Sequence, residues 1–396
     1  MEETQKQDDV FLELRQRLQS GLLVLRSDVT GDPSEVTVSG GDASLQIRMP
    51  REVLCVELPP GVTLIEGSCR EVSNTAGEGL HLRLCLQVDQ HTEAPGSVMK
   101  RVQIEKSYGF CCQRCGERVL MERVFQRVLP LPNGNWNALV EDWCCHPDPF
   151  ANRKLLPRPG DCLLGDTYFL LPRDDECDRT LAQESGPVLT DVSHDQDSRQ
   201  KPSSQPSVTC RSCGATLGEA VAAETLKLYI TEVTVKQKDE ERDDNTIKQS
   251  RWLFLERTIA ARLVELSSTQ SMFRFSLQTP SGKPFILLWL LNSDSLVASH
   301  SSPAVCGDAL IAPGDGLRTK HRSCAASSAV KVLYLLCAPS MHQDITDAWE
   351  KDVGVHPLVL PQTTCQEVMH LLTASTSCLP PSLRRMNSYQ VAFMRL

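Results

Sequence analysis

Two Cys-x-x-Cys-Gly pairs, Cys112-Gln-Arg-Cys115-Gly116 and Cys210-Arg-Ser-Cys213-Gly214, constrain this chain more than any other feature. Zinc takes four soft ligands in a tetrahedron at about 2.3 Å, and thiolates spaced by two residues on a tight knuckle face one ion. The glycine after each second cysteine frees the backbone to turn back. Together Cys112, Cys115, Cys210 and Cys213 make one structural zinc site of four thiolates, which leaves no open position for chemistry at the metal. The halves lie about a hundred residues apart, so the ion is expected to staple distant segments rather than nucleate a mini-domain. A redox dithiol, which belongs between a strand and a helix of a βαβ unit, is the weaker reading.

The chain carries 17 cysteines in 396 residues. That odd number, in a chain expected to be intracellular, excludes a disulfide scaffold and leaves metal binding, thiol chemistry and small buried hydrophobes such as Cys55, Cys85 and Cys337. The intracellular expectation rests on two features. The segment Met1–Asp9 has Glu2, Glu3 and Asp8 but no apolar run behind a basic start. The longest apolar stretch, Phe285–Leu291, is far short of the roughly 20 residues a membrane span needs. A cytoplasmic location with no membrane partner is expected, the nucleus being a second location. The formal net charge of -9 argues against direct nucleic-acid binding, which needs clustered cations to release counterions.

A chain of this length exceeds one ordinary core. Residues 1–105 show short period-two runs such as Leu80–Val88 and read as an antiparallel β domain. Residues 106–235 form the zinc-stapled region, ending in a strand over Thr225–Val235. Within it, 174–207 is rich in Asp, Glu, Ser, Gln and Pro, cannot bury enough apolar surface to offset ordering, and is expected to be a flexible insert. A polar loop follows at Lys236–Ser250. In residues 251–396, Leu253, Leu255, Ile259, Leu263 and Leu266 recur at helical spacing, with the stop near Ser267. Strands are predicted at Phe273–Leu277, Pro284–Leu291 and Ala329–Leu336, helices near Asp344–Lys351 and Thr363–Ala374, and a last strand at Tyr389–Leu396. The fold class is therefore a mostly β N-terminal region with a four-cysteine zinc site, followed by an α+β C-terminal region.

Two further features carry chemistry. The segment Pro130–Asn152 gathers Trp136, Trp143, Cys144, Cys145, His146, Asp148 and Phe150. One reading is that its aromatics plug a gap in the core while the prolines set turns. The other follows from extended backbone, where adjacent side chains point to opposite faces, so one of Cys144 and Cys145 is presented beside His146 as a metal ligand or nucleophile. Cys365 stands at the start of a predicted helix, where N–H groups stabilise a thiolate and favour nucleophilic use. The plainer reading makes it a buried cysteine of an amphipathic helix with Val368, Leu371 and Leu372. Cys378 falls after that helix.

The combination of Cys112-x-x-Cys115-Gly, Trp143-Cys-Cys-His-Pro-Asp-Pro-Phe-Ala-Asn152, Asp161-Cys-Leu-Leu-Gly-Asp166, Leu287-Leu-Trp-Leu-Leu-Asn-Ser-Asp-Ser-Leu-Val297 and Pro381-Ser-Leu-Arg-Arg-Met-Asn-Ser388 resembles the HECT-like ubiquitin-protein ligase D family. Members of that family are also described as binding proteins of a cyclin-selective ubiquitin-conjugating enzyme. The resemblance implies a HECT-type acyltransferase that accepts ubiquitin from a conjugating enzyme and passes it to cyclin B-type substrates. Thr364-Cys365 matches the Thr-Cys context of the HECT nucleophile, although the following Leu379-Pro380 lies further on than in HECT ligases. The resemblance also implies a second partner, the endonuclease that cleaves pre-mRNA 3′ ends. The Trp-Cys-Cys-His segment would plug that enzyme's metallo-β-lactamase-fold active site, with Cys145, or in its place Cys144, ligating the partner's zinc.

Overall fold

Alternation of apolar and polar residues sets most of the architecture. In the strand Gly79–Val88 the even positions Leu80, Leu82, Leu84 and Leu86 are buried while Arg83, Cys85 and Gln87 are exposed, the period-two signature of a half-buried strand. The strand Val10–Arg15 breaks this alternation because both its faces are buried. Val10, Leu12 and Leu14 enter one core cluster and Phe11 another. Its one central charge, Glu13, is neutralised by Lys331 Nζ at 3.0 and 3.1 Å.

The computed structural model describes residues 9–26, 33–41, 43–50, 52–75, 79–89, 102–132, 155–184, 206–238, 250–300, 320–337 and 342–396. They are mostly β. The chain divides into two compact units, each built from non-consecutive segments. One comprises Met1–Pro95, Leu288–Leu335 and Met369–Leu396, and the other Gly96–Leu287 and Leu336–Val368. The linear division at 1–105, 106–235 and 251–396 thus stands beside a spatial division that is interleaved.

In the first unit a large sheet runs in the order Arg385–Met386, Tyr389–Arg395, Ser327–Leu336, Pro284–His300, Val10–Arg15, Ser20–Leu25, Gly79–Val88 and Val62–Leu64. A second sheet of four strands is ordered Lys320–Ala325, Glu52–Glu57, Ser44–Arg48 and Thr37–Gly41. Leu12, Leu23 and Leu84 of the first meet Leu45, Ile47 and Val56 of the second in one apolar cluster.

The second unit holds a seven-stranded sheet in the order Arg127–Pro130, Asp161–Leu164, Tyr168–Pro172, Thr225–Tyr229, Thr216–Ala222, Ser207–Cys210 and Leu181–Glu184. A three-stranded sheet is ordered Arg118–Val124, Ser107–Cys112 and Val233–Gln237. Phe110 and Val233 of the smaller sheet and Phe169, Leu217 and Leu228 of the larger share one core. Helix α1, Arg251–Gln270, is capped by Ser250 Oγ accepting from the Leu253 N–H at 3.4 Å and buries Leu255, Ile259, Leu263 and Leu266. Helix α2 is Gln343–Glu350 and helix α3 Gln362–Cys378. No helix among the described residues is long and apolar enough to cross a membrane.

Several boundaries differ from expectation for local reasons. The predicted strand Thr225–Val235 breaks at 230–232, where Glu232 N bonds back to Tyr229 O, and Val233–Gln237 joins the other sheet. Helix α3 continues past Ala374, with Thr373, Thr376 and Ser377 each bonding the carbonyl four residues back, so Cys378 closes the helix instead of following it. Residues 174–184 of the predicted flexible insert are folded. Cys177 is buried in a short helical turn, Cys177–Thr180, and Leu181–Glu184 pairs with Ser207–Cys210; residues 185–205 lie outside those described.

Candidate metal centre and its surroundings

Each Cys-x-x-Cys-Gly sequence forms the turn of a β-hairpin, and the two turns are built alike. Cys112 ends the strand Ser107–Cys112, its N–H bonds Glu117 O at 2.7 Å, and Gly116 N bonds back to Cys112 O at 2.8 Å. Cys210 ends Ser207–Cys210, its N–H bonds Ala215 O at 2.9 Å, and Gly214 N bonds Cys210 O at 2.8 Å. Gly116 and Gly214 take φ of 80° and 71°, the left-handed conformation that a side chain would strain. Cys112 belongs to the three-stranded sheet and Cys210 to the seven-stranded one, so the knuckles join two sheets of one unit.

The four sulfurs converge as expected, all within 4.8 Å of one another. Cys112 Sγ lies 3.7 Å from Cys213 Sγ, and Cys115 Sγ lies 3.8 Å from Cys210 Sγ. A tetrahedron with metal–sulfur bonds of about 2.3 Å has edges of about 3.8 Å, so the donor set fits a four-coordinate ion. Burial pushes the Cys112 and Cys210 thiols up. At Cys115 burial acts the same way, but the Glu117 N–H and the neighbouring thiols outweigh it and bring that thiol below its ordinary value. A cation would complete the deprotonation, because thiolate is the ligating form.

The residues between the first pair of cysteines touch a charged cluster that carries no local sequence signature. Arg251, the first residue of α1, donates through Nη2 to Glu232 Oε1 at 2.9 Å and to Glu367 Oε2 at 2.6 Å. It also bonds Thr231 O and, at 3.2 Å, Gln113 Oε1. Glu232, 2% exposed, accepts at Oε1 from Thr364 at 2.6 Å and Thr231 at 3.0 Å as well. Burial opposes the Arg251 charge, but the two carboxylates hold its pKa above the ordinary value.

Cys365 occupies the first turn of α3, where the sequence places it, but not as an ionised thiol. It is 0% exposed. Its N–H is already bonded to Pro361 O at 2.9 Å. Its Sγ lies 3.8 Å from the carbonyl oxygens of Gln278 and Leu360, acceptors that retain the proton. Burial pushes its pKa up to about 12, so the expected helix-terminus ionisation is overridden by desolvation.

Trp136, Trp143, Cys144, Cys145, His146, Asp148 and Phe150 lie outside the described residues. What is described is the base of their segment. Arg127–Pro130 and Asp161–Leu164 pair in parallel, and Arg127 grips Asp161 with Nε–Oδ1 at 2.7 Å and Nη2–Oδ2 at 2.8 Å.

Comparison with known proteins agrees with the family resemblance over almost the whole chain. Residues 13–391 match the family described as HECT-like ubiquitin-conjugating enzyme (E2)-binding. The chain is 41% identical over 391 residues to the Mus musculus protein named E3 ubiquitin-protein ligase E3D, covering 98% of each. It is also 41% identical to the Homo sapiens protein of that name over 398 residues, and to the Bos taurus one over 389, again covering 98% of both chains. No solved structure matches it. With its four-cysteine centre set in a mostly β framework, the chain belongs to the HECT-like ubiquitin-conjugating-enzyme-binding family.

Proposed function

We propose that this chain is a ubiquitin-protein ligase that docks a ubiquitin-conjugating enzyme and promotes transfer of its ubiquitin to protein substrates, cyclin B-type proteins among them. The observation that carries this reading is the family match over residues 13–391 together with ligase-named relatives aligned end to end. The four-cysteine centre is read as a structural zinc site, because four thiolates fill the tetrahedron and leave no position for substrate.

The burial of Cys365 favours transfer that bypasses it. With the thiol buried and its pKa pushed up to about 12, little thiolate forms there at neutral pH. In the reading preferred here the substrate lysine amine attacks the conjugating enzyme's thioester carbonyl directly. The isopeptide C–N bond forms, the C–S bond breaks, the enzyme's thiolate leaves and the amine proton passes to solvent. The chain's part is to hold the two proteins together. The test is discharge of a ubiquitin-charged conjugating enzyme in the presence of wild-type and Cys365→Ala chains, followed on non-reducing gels. Equal stimulation by both, with no reducible adduct on the chain, is the expected result. Absence of stimulation by wild type rejects the ligase reading, and a reducible ubiquitin adduct lost in Cys365→Ala restores the HECT-type thioester route.

A second reading concerns the Pro130–Asn152 segment, flanked by the strands Arg127–Pro130 and Asp161–Leu164, which pair in parallel beside the Arg127–Asp161 fork. In it the segment occupies the active site of the pre-mRNA 3′-end-processing endonuclease and Cys145 ligates that enzyme's zinc. This reading requires a nuclear as well as a cytoplasmic population.

A further inference from the structure

The first knuckle is tied directly to the turn of α3 that buries Cys365. Its two spacer residues make the connection. Gln113 donates its N–H to Glu232 O at 3.0 Å and accepts from Arg251 Nη1 at 3.2 Å, and Arg114 Nη2 reaches Glu367 Oε1 at 3.4 Å. Arg251 holds Glu367 and Glu232, and Glu232 receives Thr364. Thr364 and Glu367 flank Cys365 in the first turn of α3. One continuous network thus runs from between two metal-ligand positions to the backbone on either side of the buried thiol.

Such a network moves as a whole. A carboxylate as buried as Glu232 is tolerated only while its cation and hydroxyl partners stay in place. Displacing the knuckle therefore disturbs Arg251 and, through it, both Glu232 and Glu367. The ion would hold the knuckle's shape, since it would bridge four sulfurs that lie within 4.8 Å of one another on two separate turns.

We infer that occupancy of the four-cysteine site controls access to Cys365: the bound ion fixes the Gln113–Arg114 turn against Arg251 and Glu367, which clamps the first turn of α3 over the thiol, and loss of the ion releases it. The inference rests on the metal reading above. Linkage makes the coupling reciprocal, so whatever loosens the first turn of α3 weakens ion binding by the same factor.

The experiment uses the full-length chain loaded with zinc, its stoichiometry measured by mass spectrometry. The protein is pulsed with iodoacetamide before and after stripping with a chelator, and the modified cysteines are mapped on peptides. Cys162 is the internal control, because it is 0% exposed in the core of the same unit. Stripping should raise the modification rate of Cys365 by about ten-fold or more while Cys162 stays protected. In the reciprocal arm, Glu367→Gln should surrender zinc to the chelator at about ten-fold lower chelator concentration and expose Cys365 even when loaded. Arg114→Ala, at a side chain 46% exposed, supplies a second variant that keeps the Arg251–Glu367 pair and should shift both readouts the same way by less. A Cys365 rate unmoved by stripping overturns the coupling, and so does Cys162 rising in step with it, which means that the unit melts as a whole. A chain that holds no zinc overturns the metal reading and the coupling with it, whereas a zinc-loaded chain with an unresponsive Cys365 overturns the coupling alone.

Discussion

A cysteine at a helix start ionises when its sulfur reaches free N–H groups and water. Cys365 has neither, since it is 0% exposed and lies against two carbonyl oxygens. Removing that sulfur leaves a small apolar gap beside Leu360 and Val368, so Cys365→Ala should cost about 1–2 kcal/mol of stability. The difference should also depend on pH. In the unfolded chain the thiol ionises near 9.0, and in the folded chain only near 12. Below the first value the contribution is fully present; above it the unfolded state sheds a proton that the folded state keeps, and stability falls by up to about 1.4 kcal/mol per pH unit. Denaturant midpoints of wild type and Cys365→Ala from pH 7 to 10.5 should therefore differ by a constant below pH 9 and by a shrinking amount above it. A flat difference throughout would contradict the burial. The sequence located this residue correctly at a helix start and left its depth undecided. Depth is set by Leu360 and Pro361, which carry the chain from the strand Val355–Val359 into α3 beneath the surface.

The helices show which elements a sequence reveals. Helix α1 was legible because Leu255, Ile259, Leu263 and Leu266 recur at helical spacing and face one core. The four-cysteine centre was legible because each half-site is complete within five residues. The strand Leu181–Glu184 was not, since its one core residue, Leu181, sits in a polar window and only pairing with Ser207–Cys210 makes it a strand. Least legible was the Glu232–Arg251–Glu367 cluster, whose members stand 19 and 116 positions apart. Its single hint was a glutamate beside the core residue Val233. Arg251 joins the start of α1 to the start of α3, and replacing it leaves two carboxylates facing each other, one of them buried. Arg251→Ala should cost about 3–5 kcal/mol, whereas Arg257→Ala, on the same helix and outside the cluster, should stay within about 0.5 kcal/mol. Urea unfolding of both variants reads this, and comparable losses would assign Arg251 an ordinary surface role.

At the scale of the molecule, the interleaving of segments decides what can be cut. The strand Val10–Arg15 lies between Ser20–Leu25 and Pro284–His300, with Val10 opposite Leu25 on one side and His300 on the other. Glu52–Glu57 pairs in parallel with Lys320–Ala325, a partner more than two hundred residues away in sequence. Of the nineteen residues in the main apolar cluster of this unit, all but Leu296 and Ala298 precede residue 90. A chain of residues 251–396 alone would therefore expose one long edge of Pro284–His300 and keep almost none of that cluster. A chain of residues 1–250 would lose Lys320–Ala325 from one sheet and Pro284–His300 from the other, and would leave Glu232 without Arg251. Neither fragment closes its sheets, and exposed strand edges favour aggregation over folding. Expressed singly, both should give collapsed amide NMR spectra and no cooperative thermal transition. Expressed together, they should recover dispersion and cooperative melting, because every missing strand is then supplied. A dispersed spectrum from 251–396 alone would mean that the C-terminal stretch folds by itself, and the shared sheet would then be an association of finished domains instead of the framework on which both segments fold.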